Sequence, residues 1–339
     1  YRNWSYGWRG KLQTVLATGH AAALELLVQR EAFLPESRIE NSGKFLESTR
    51  HTISGQVGTD LMLPKGLGIL SASAKIKFQK NKLLNGKSYP FVSLSPDSLT
   101  DRTLEAFRAG VRIDLMPGFW FKANLGRSQR LPSFHELFGD RGGVIGNSEL
   151  RSESGVSWDV GLRLQSSRGK VLEGVYFSHW YTNLIQFVQF SQGVGRAQNI
   201  GKARVQGVET SLSGFLFGRW SVSGNYTFQQ ATDYTKISHR RGKRLPNRPA
   251  HEVHFHIALP LEELTIFYDY TFEDGNFLDR ANLRAISVRQ IHNVGFRWPL
   301  FQGIQLTLEA KNLGNDQVAD LWGYPLPGRS LFLTLQESF

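Results

Sequence analysis

His254 and His256 sit two residues apart in the run His251-Glu252-Val253-His254-Phe255-His256-Ile257. In a strand that spacing puts both imidazoles on one face, opposite Val253, Phe255 and Ile257. Two such rings can approach a metal ion or a haem, or can stand as wet polar residues beside a water-filled space. A second cluster, His239-Arg240-Arg241-Gly242-Lys243-Arg244 with Arg248 just beyond, concentrates positive charge. It could draw in an anionic ligand, hold lipid phosphates, or be a solvated loop. Beyond these the chemistry is sparse. No zinc-protease motif, no Ser–His–Asp arrangement and no phosphate-binding loop occurs. The acidic residues of the connections are not spaced like a calcium loop. With no catalytic constellation, the chain is expected not to be an enzyme and to hold no metal or cofactor of its own.

Composition narrows the setting of these residues. The chain has 339 residues, with 34 Gly, 12 Pro, no Cys, 2 Met, 23 Phe, 10 Tyr and 8 Trp. Apolar residues make up 40% and mean hydropathy is −0.29, too apolar for disorder and too polar for a bundle of membrane helices. No run of about 18 uncharged apolar residues exists to form a transmembrane helix. Lack of Cys excludes a disulfide scaffold, a thiolate zinc site and a cysteine nucleophile. The net charge of +11 would also suit nucleic acid, but no basic helix, stacking platform or recognition motif accompanies it. Nucleic acid is therefore not expected as a partner. The opening Tyr1-Arg2-Asn3-Trp4 carries no initiator Met and no leader, so the sequence reads as a mature or truncated piece.

The elements that must position the residues are strands. Ile304, Leu306, Leu308 and Ala310 alternate with Gln305, Thr307, Glu309 and Lys311. That is one apolar and one wet face. Val156, Trp158, Val160, Leu162 and Leu164 alternate in the same way with Ser157, Asp159, Gly161, Arg163 and Gln165. The pattern recurs in about 15 segments, many of about 10–14 residues, where soluble strands average about 5–6 and membrane-crossing ones about 9–11. Short connections alternate with long ones. The short ones include Pro64-Lys65-Gly66, Pro117-Gly118 and Phe217-Gly218-Arg219; the long ones lie near 35–47, 81–102, 128–154, 184–202, 230–248, 273–284 and 313–327. Tight turns at one end and long loops at the other define an outer-membrane barrel. Aromatics near strand ends, among them Trp4, Tyr6, Trp8, Trp120, Trp180 and Trp298, suit the membrane boundary.

The expected fold is an all-β antiparallel transmembrane barrel, one domain over 1–339. An odd number of strands leaves an open edge, which lipid does not tolerate. The barrel is therefore expected to be incomplete here, with N-terminal strands missing.

Four words in the long connections carry a family resemblance. The first is Arg130-Leu131-Pro132-Ser133-Phe134-His135-Glu136-Leu137-Phe138, followed by Gly146-Asn147-Ser148-Glu149-Leu150 and Glu153. The second is Asn199-Ile200-Gly201-Lys202-Ala203-Arg204-Val205-Gln206-Gly207-Val208-Glu209. The third is Arg244-Leu245-Pro246-Asn247-Arg248-Pro249-Ala250-His251. The last joins Asn312-Leu313-Gly314-Asn315-Asp316 to Gly323-Tyr324-Pro325-Leu326-Pro327-Gly328-Arg329-Ser330, ahead of a terminal Phe339. In this order they resemble TonB-dependent outer-membrane receptors, over about 130–339. Ser148 and Ser152 stand where the family usually has Pro, and Glu337 departs from its usual apolar choice.

The resemblance implies a barrel of about 22 strands around an N-terminal plug, so about 15 of them would be present here and the plug absent. It implies location in the outer membrane of a Gram-negative bacterium and a monomer among lipid and lipopolysaccharide. It also implies energy from the TonB–ExbB–ExbD complex, engaged through the missing N-terminal part. The ligand would be a nutrient complex, a ferric siderophore first and cobalamin second. External-loop residues expected to meet it are Phe134, His135, Phe187, Phe190, Tyr234, Arg240, Arg241, Trp322 and Tyr324. Glu209, His254, His256 and Arg329 are expected to face the lumen or plug. A plug-free diffusion porin is the rival; it explains periodicity and loops but not the four words.

Overall fold

The computed structural model describes residues 2–34, 48–83, 98–138, 144–147, 149–191, 194–301, 303–321 and 324–337. Its strands come in hairpins. They begin with β1 (Arg2–Ala17), β2 (His20–Leu34), β3 (Ser48–Met62), β4 (Gly68–Leu83), β5 (Ser98–Met116) and β6 (Phe119–Arg130). After a short helix α1 (Phe134–Phe138) come β7 (Val144–Ile145), β8 (Glu153–Gln165), β9 (Val171–Thr182), β10 (Ile185–Ser191) and β11 (Val194–Asn199). The chain continues through β12 (Lys202–Leu216), β13 (Trp220–Asp233), β14 (His251–Leu261), β15 (Leu264–Asp274), β16 (Asn276–Phe277) and β17 (Ala285–Ile286). The last elements are β18 (Arg289–Phe301), β19 (Ile304–Lys311), β20 (Ala319–Leu321), β21 (Tyr324–Pro325) and β22 (Ser330–Glu337).

Fifteen of these form one sheet, ordered β1-β2-β3-β4-β5-β6-β8-β9-β12-β13-β14-β15-β18-β19-β22. Every neighbour in it follows in sequence once the small strands are set aside, the pattern that successive hairpins generate. The residues in the short turns explain the sharp reversals. Gly118 takes φ 77°, and a Cβ there would collide with the Gln165 carbonyl.

The other strands are built inside the long connections, where the sequence shows only loops. β10 pairs antiparallel with β11, and β7 adds parallel to β11. β16 pairs with β17, and β20 with β21. β10 thus finds its partner inside the same connection, whereas β11 also takes one from a distant connection.

Side-chain placement follows the two-residue period. Large apolar side chains lie exposed along one face, including Leu12, Leu26, Ile53, Phe78, Leu162, Leu212 and Leu333. The other face carries Arg50, Lys75, Asn124, Arg163, Glu173, Asp269 and Arg297. In the register of β3 with β4, for example, Gln56 faces Lys75 while Val57 faces Ala74. An apolar face outside and a polar face within is the arrangement of a membrane barrel and the reverse of a soluble core.

The chain divides into two compact units. The first comprises 1–113, 123–158 and 180–202, the second 114–122, 159–179 and 203–339.

Candidate functional site

In the first unit, the segment after β6 folds back as a structured plug-in. Ser133 and Glu136 form a reciprocal helix cap: Glu136 N–H donates to Ser133 Oγ (3.2 Å), and Ser133 N–H to Glu136 Oε2 (2.7 Å). Arg130 grips the same carboxylate with both terminal nitrogens, at 2.9 and 3.0 Å, and reaches Glu153 Oε2 at 3.0 Å. Burial alone would raise the Glu136 pKa; Arg130 and the Ser133 donors outweigh it and hold the carboxyl below the usual range.

The helix so started drives Phe134 into the wall. Its ring is 6% exposed, stacks on Phe33 at 5.6 Å, and lies 4.5 Å from the Arg50 guanidinium. Arg50 in turn donates to Pro132 O (2.9 Å) and Asn81 Oδ1 (2.8 Å). Leu137, Leu150, Ile185 and Ala197 form a small apolar core beside it. Asn147 N–H donates to Glu136 O (2.9 Å) and its amide to Ala197 O (2.9 Å). Asn199 accepts from Arg151 N–H (2.8 Å) and donates to Asn183 O (2.7 Å). The first word and the start of the second are therefore one knot of side-chain-to-backbone bonds.

His135 points the other way from Phe134. It is exposed, with its ring 5.5 Å from that of Phe187. These two expected ligand residues are brought together on the loop surface. The side chains of Phe190 and Tyr324, and all of Trp322, lie outside the described residues.

In the second unit, the connections 234–250 and 275–288 are locked to each other. Asp233, at the end of β13, accepts from Arg280 Nη2 at 2.8 Å, with side chains 3% and 10% exposed. Asn282 accepts from Arg244 N–H (2.7 Å) and donates to Arg244 O (3.0 Å). Arg248 N–H donates to Asn276 Oδ1 (3.0 Å), and Asn247 N–H to Phe277 O (3.0 Å). Asp279 caps the second loop by accepting from the N–H groups of Ala281, Leu283 and Arg284. Arg240 and Arg241 sit on a turn closed by their N–H bonds to Ile237 O, both at 3.0 Å. Arg241, Lys243, His239 and Tyr234 are exposed there. The arrangement is a cationic surface on a braced support.

The residues expected on the polar face are found as follows. Glu209 faces Thr227 across β12 and β13. His254 lies 3.0 Å from Glu252 Oε1, and His256 Nδ1 lies 2.7 Å from Asp269 Oδ1. Among the described residues no group of three or more His, Cys, Asp or Glu side chains is placed to hold a metal ion. Arg329 N–H donates to Asn315 Oδ1 (3.2 Å), and Asn312 donates to the carbonyls of Asp316 and Pro327 at 2.8 and 2.9 Å. Gly207 lies so close to its neighbours that a Cβ would strike the Phe228 carbonyl and meet the Phe177 ring at 3.0 Å. The glycine thus serves close approach within the wall.

Asp233, Arg280, Asp279, Asn282 and Arg50 were not singled out from sequence. A partial signal existed in the asparagines: Asn247, Asn282, Asn312 and Asn315 take φ of 55°, 58°, 53° and 55°, the conformation Asn tolerates at loop corners.

An antiparallel sheet with an apolar outer and polar inner face, tight turns at one end and braced loops at the other defines an outer-membrane β-barrel protein. The TonB dependent receptor-like, beta-barrel family matches residues 70–313, and the chain belongs to that family. Its members are transporters, and the protein resides in the outer membrane of Gram-negative bacteria. The chain is 27% identical over 122 residues to an uncharacterized TonB-dependent receptor of Haemophilus influenzae, covering 35% of each chain. Among solved structures it resembles the copper transporter OprC (TM-score 0.76, 14% identity, 99% of this chain and 56% of that one). It also resembles the FrpB iron transporter of Neisseria meningitidis (0.71, 13%, 99% and 55%). A third is a mutant of the ferric enterobactin receptor PfeA of Pseudomonas aeruginosa, in complex with enterobactin (0.64, 17%, 99% and 62%). At these identities the likeness shows the fold alone. The chain spans about a third of the curated relative and about half to three-fifths of the solved structures.

Proposed function

We propose that this chain forms the ligand-facing wall and loops of a receptor that imports a nutrient complex, an anionic ferric siderophore before cobalamin. Energy comes from TonB–ExbB–ExbD, engaged through a part of the protein outside this chain. The observation that carries the reading is the cationic turn of Arg240, Arg241 and Lys243 on loops braced by the buried Asp233–Arg280 pair. Positive charge fixed on a braced turn concentrates anions and loses little ordering entropy on binding. Similarity in fold to receptors for ferric enterobactin, iron and copper supports a metal-bearing ligand. In the first unit, His135 and Phe187 offer an aromatic contact of their own. Tyr234 lies exposed just after β13, beside the same loop.

The test uses the complete receptor and an iron-55-labelled catecholate siderophore, with cyanocobalamin as competitor. Arg240→Ala with Arg241→Ala is expected to weaken binding about tenfold or more, with a reduced salt dependence. Unchanged affinity removes the cationic turn from the site. Competition by cobalamin alone reverses the order of ligands. Steady large conductance of the complete protein in a planar bilayer without TonB would favour a passive porin instead.

A further inference from the structure

Four successive rows of cross-strand neighbours run over the apolar face of β1–β5. The row nearest the long loops is Tyr6–Arg30–His51–Lys80–Asp101. The next is Trp8–Val28–Ile53–Phe78–Thr103, the third Gly10–Leu26–Gly55–Ile76–Glu105, and the fourth Leu12–Leu24–Val57–Ala74–Phe107. Alternation places all of them on one face. Below the first row that face is apolar apart from Thr103 and Glu105, and the first row carries the cations. Lys82, two residues further out on β4 and opposite Thr49, extends the charge. His51, Lys80 and Lys82 are exposed, and Arg30 donates to Tyr6 Oη at 3.0 Å. Asp101 stands opposite Lys80 in the same row.

Strand length explains why cations stand on the lipid side. β4 has 16 residues and β5 has 19, against the roughly 9–11 that a membrane crossing uses. The strand ends emerge above the hydrocarbon, where a cation at the level of headgroups meets phosphate.

The lower rows are not flat. Gly55 and Ala74 leave a notch between larger neighbours. An open cleft of about 560 Å³ results, lined by the apolar Leu24, Val57, Ile76 and Phe107 and also by Glu105 and Arg127. Gly55 lies four residues along β3 from His51, about 13 Å at strand rise. A phosphate on the cationic row would therefore let an attached acyl chain reach the cleft.

We infer that this face of β1–β5 is a specific seat for a phosphorylated, acylated glycolipid of the outer leaflet, its phosphate on Arg30, Lys80 and Lys82 and one acyl chain in the Gly55–Ala74 cleft. Charge complementarity selects the occupant. Apolar side chains suit any lipid, whereas a row of cations on the bilayer-facing surface suits an anionic headgroup held by charge-assisted hydrogen bonds. The seat is independent of the loops that face the nutrient ligand.

Native mass spectrometry of the complete receptor, loaded separately with hexa-acylated bisphosphorylated lipid A, its dephosphorylated form, and phosphatidylglycerol, tests the inference. The wild type is expected to retain the bisphosphorylated lipid about tenfold better than the dephosphorylated one. Arg30→Gln with Lys80→Gln and Lys82→Gln is expected to abolish that preference, while Lys65→Gln in the opposite short turn leaves it intact. Ala74→Phe, filling the cleft, should reduce retention of the six-chain lipid relative to a four-chain form. Equal retention of phosphorylated and dephosphorylated lipid A by the wild type overturns the seat, and this comparison needs no variant to fold. Equal retention of phosphatidylglycerol overturns the glycolipid assignment. Unchanged preference in the folded triple variant overturns the residues. Siderophore binding is not part of the readout, so these outcomes are separate from those for the receptor's ligand.

Discussion

Glu136 shows how much one side chain can organise. Its carboxylate accepts from Ser133 N–H and from both Arg130 nitrogens, and its backbone N–H and carbonyl engage Ser133 and Asn147. The Ser-x-x-Glu spacing is a capping signature, so the start of α1 was legible in sequence once the pair was noticed. The role of Phe134 was not, because nothing local says that the ring will meet Phe33, about a hundred positions earlier. The expectation of a ligand contact at Phe134 stays a proposal, with the ring 6% exposed in this structure. Glu136→Gln should cost about 1–2 kcal/mol of local stability, since Arg130 is partly exposed and its bonds are screened. The sign with pH follows from the depressed carboxyl. Its stabilisation is present above the unfolded carboxylate value of about 4.3 and is lost as pH falls below that through the folded one. Hydrogen exchange of residues 130–138 and 149–153, taken relative to each amide's intrinsic rate, should accelerate in acid for the wild type. It should start faster and respond less in Glu136→Gln. An identical acid response in both proteins would remove Glu136 as the titrating group.

At the scale of elements, strands and loops were unequally readable. Each strand of the large sheet advertises itself, because one face must be greasy and the other wet over its whole length. The loops obey no such rule. In one of their small sheets β11 takes β7, from a distant connection, as a parallel partner. The Asp233–Arg280 pair likewise joins residues 47 positions apart. That pair makes a specific prediction. Both side chains are almost wholly buried, so removing one partner strands the other charge at a cost of about 3–5 kcal/mol. Asp233→Ala should leave the strands intact while releasing the two connections from each other. Limited proteolysis should then cut within 234–248 and 275–288 well before the wild type. Double replacement, Asp233→Leu with Arg280→Met, should recover much of the resistance, because no lone charge remains. If the single variant is as resistant as the wild type, the brace lies elsewhere and the cationic turn is held by its asparagine bonds alone.

For the molecule as a whole, the question is which solvent each face of the sheet meets, and β22 gives a clean comparison. Leu333 faces Leu308, and Thr334 faces Thr307, on opposite sides of the same pair of strands. Leu333 is 67% exposed and Thr334 is exposed as well, so exposure alone does not distinguish them. In water, an arginine at either position would cost little, because both side chains already point away from protein. In a bilayer the two diverge. An arginine replacing Leu333 would enter hydrocarbon, at about 2–4 kcal/mol near the midplane, whereas one replacing Thr334 would face the polar side with Thr307. Leu333→Arg in the complete protein should therefore lower the yield of heat-modifiable, membrane-assembled receptor and its resistance to urea. Thr334→Arg should assemble near wild-type levels. Equal tolerance of both substitutions would mean that the leucine face does not meet lipid. The reverse order would mean that the two faces had been exchanged, and the glycolipid seat on β1–β5, which shares that apolar face, would then fall with it.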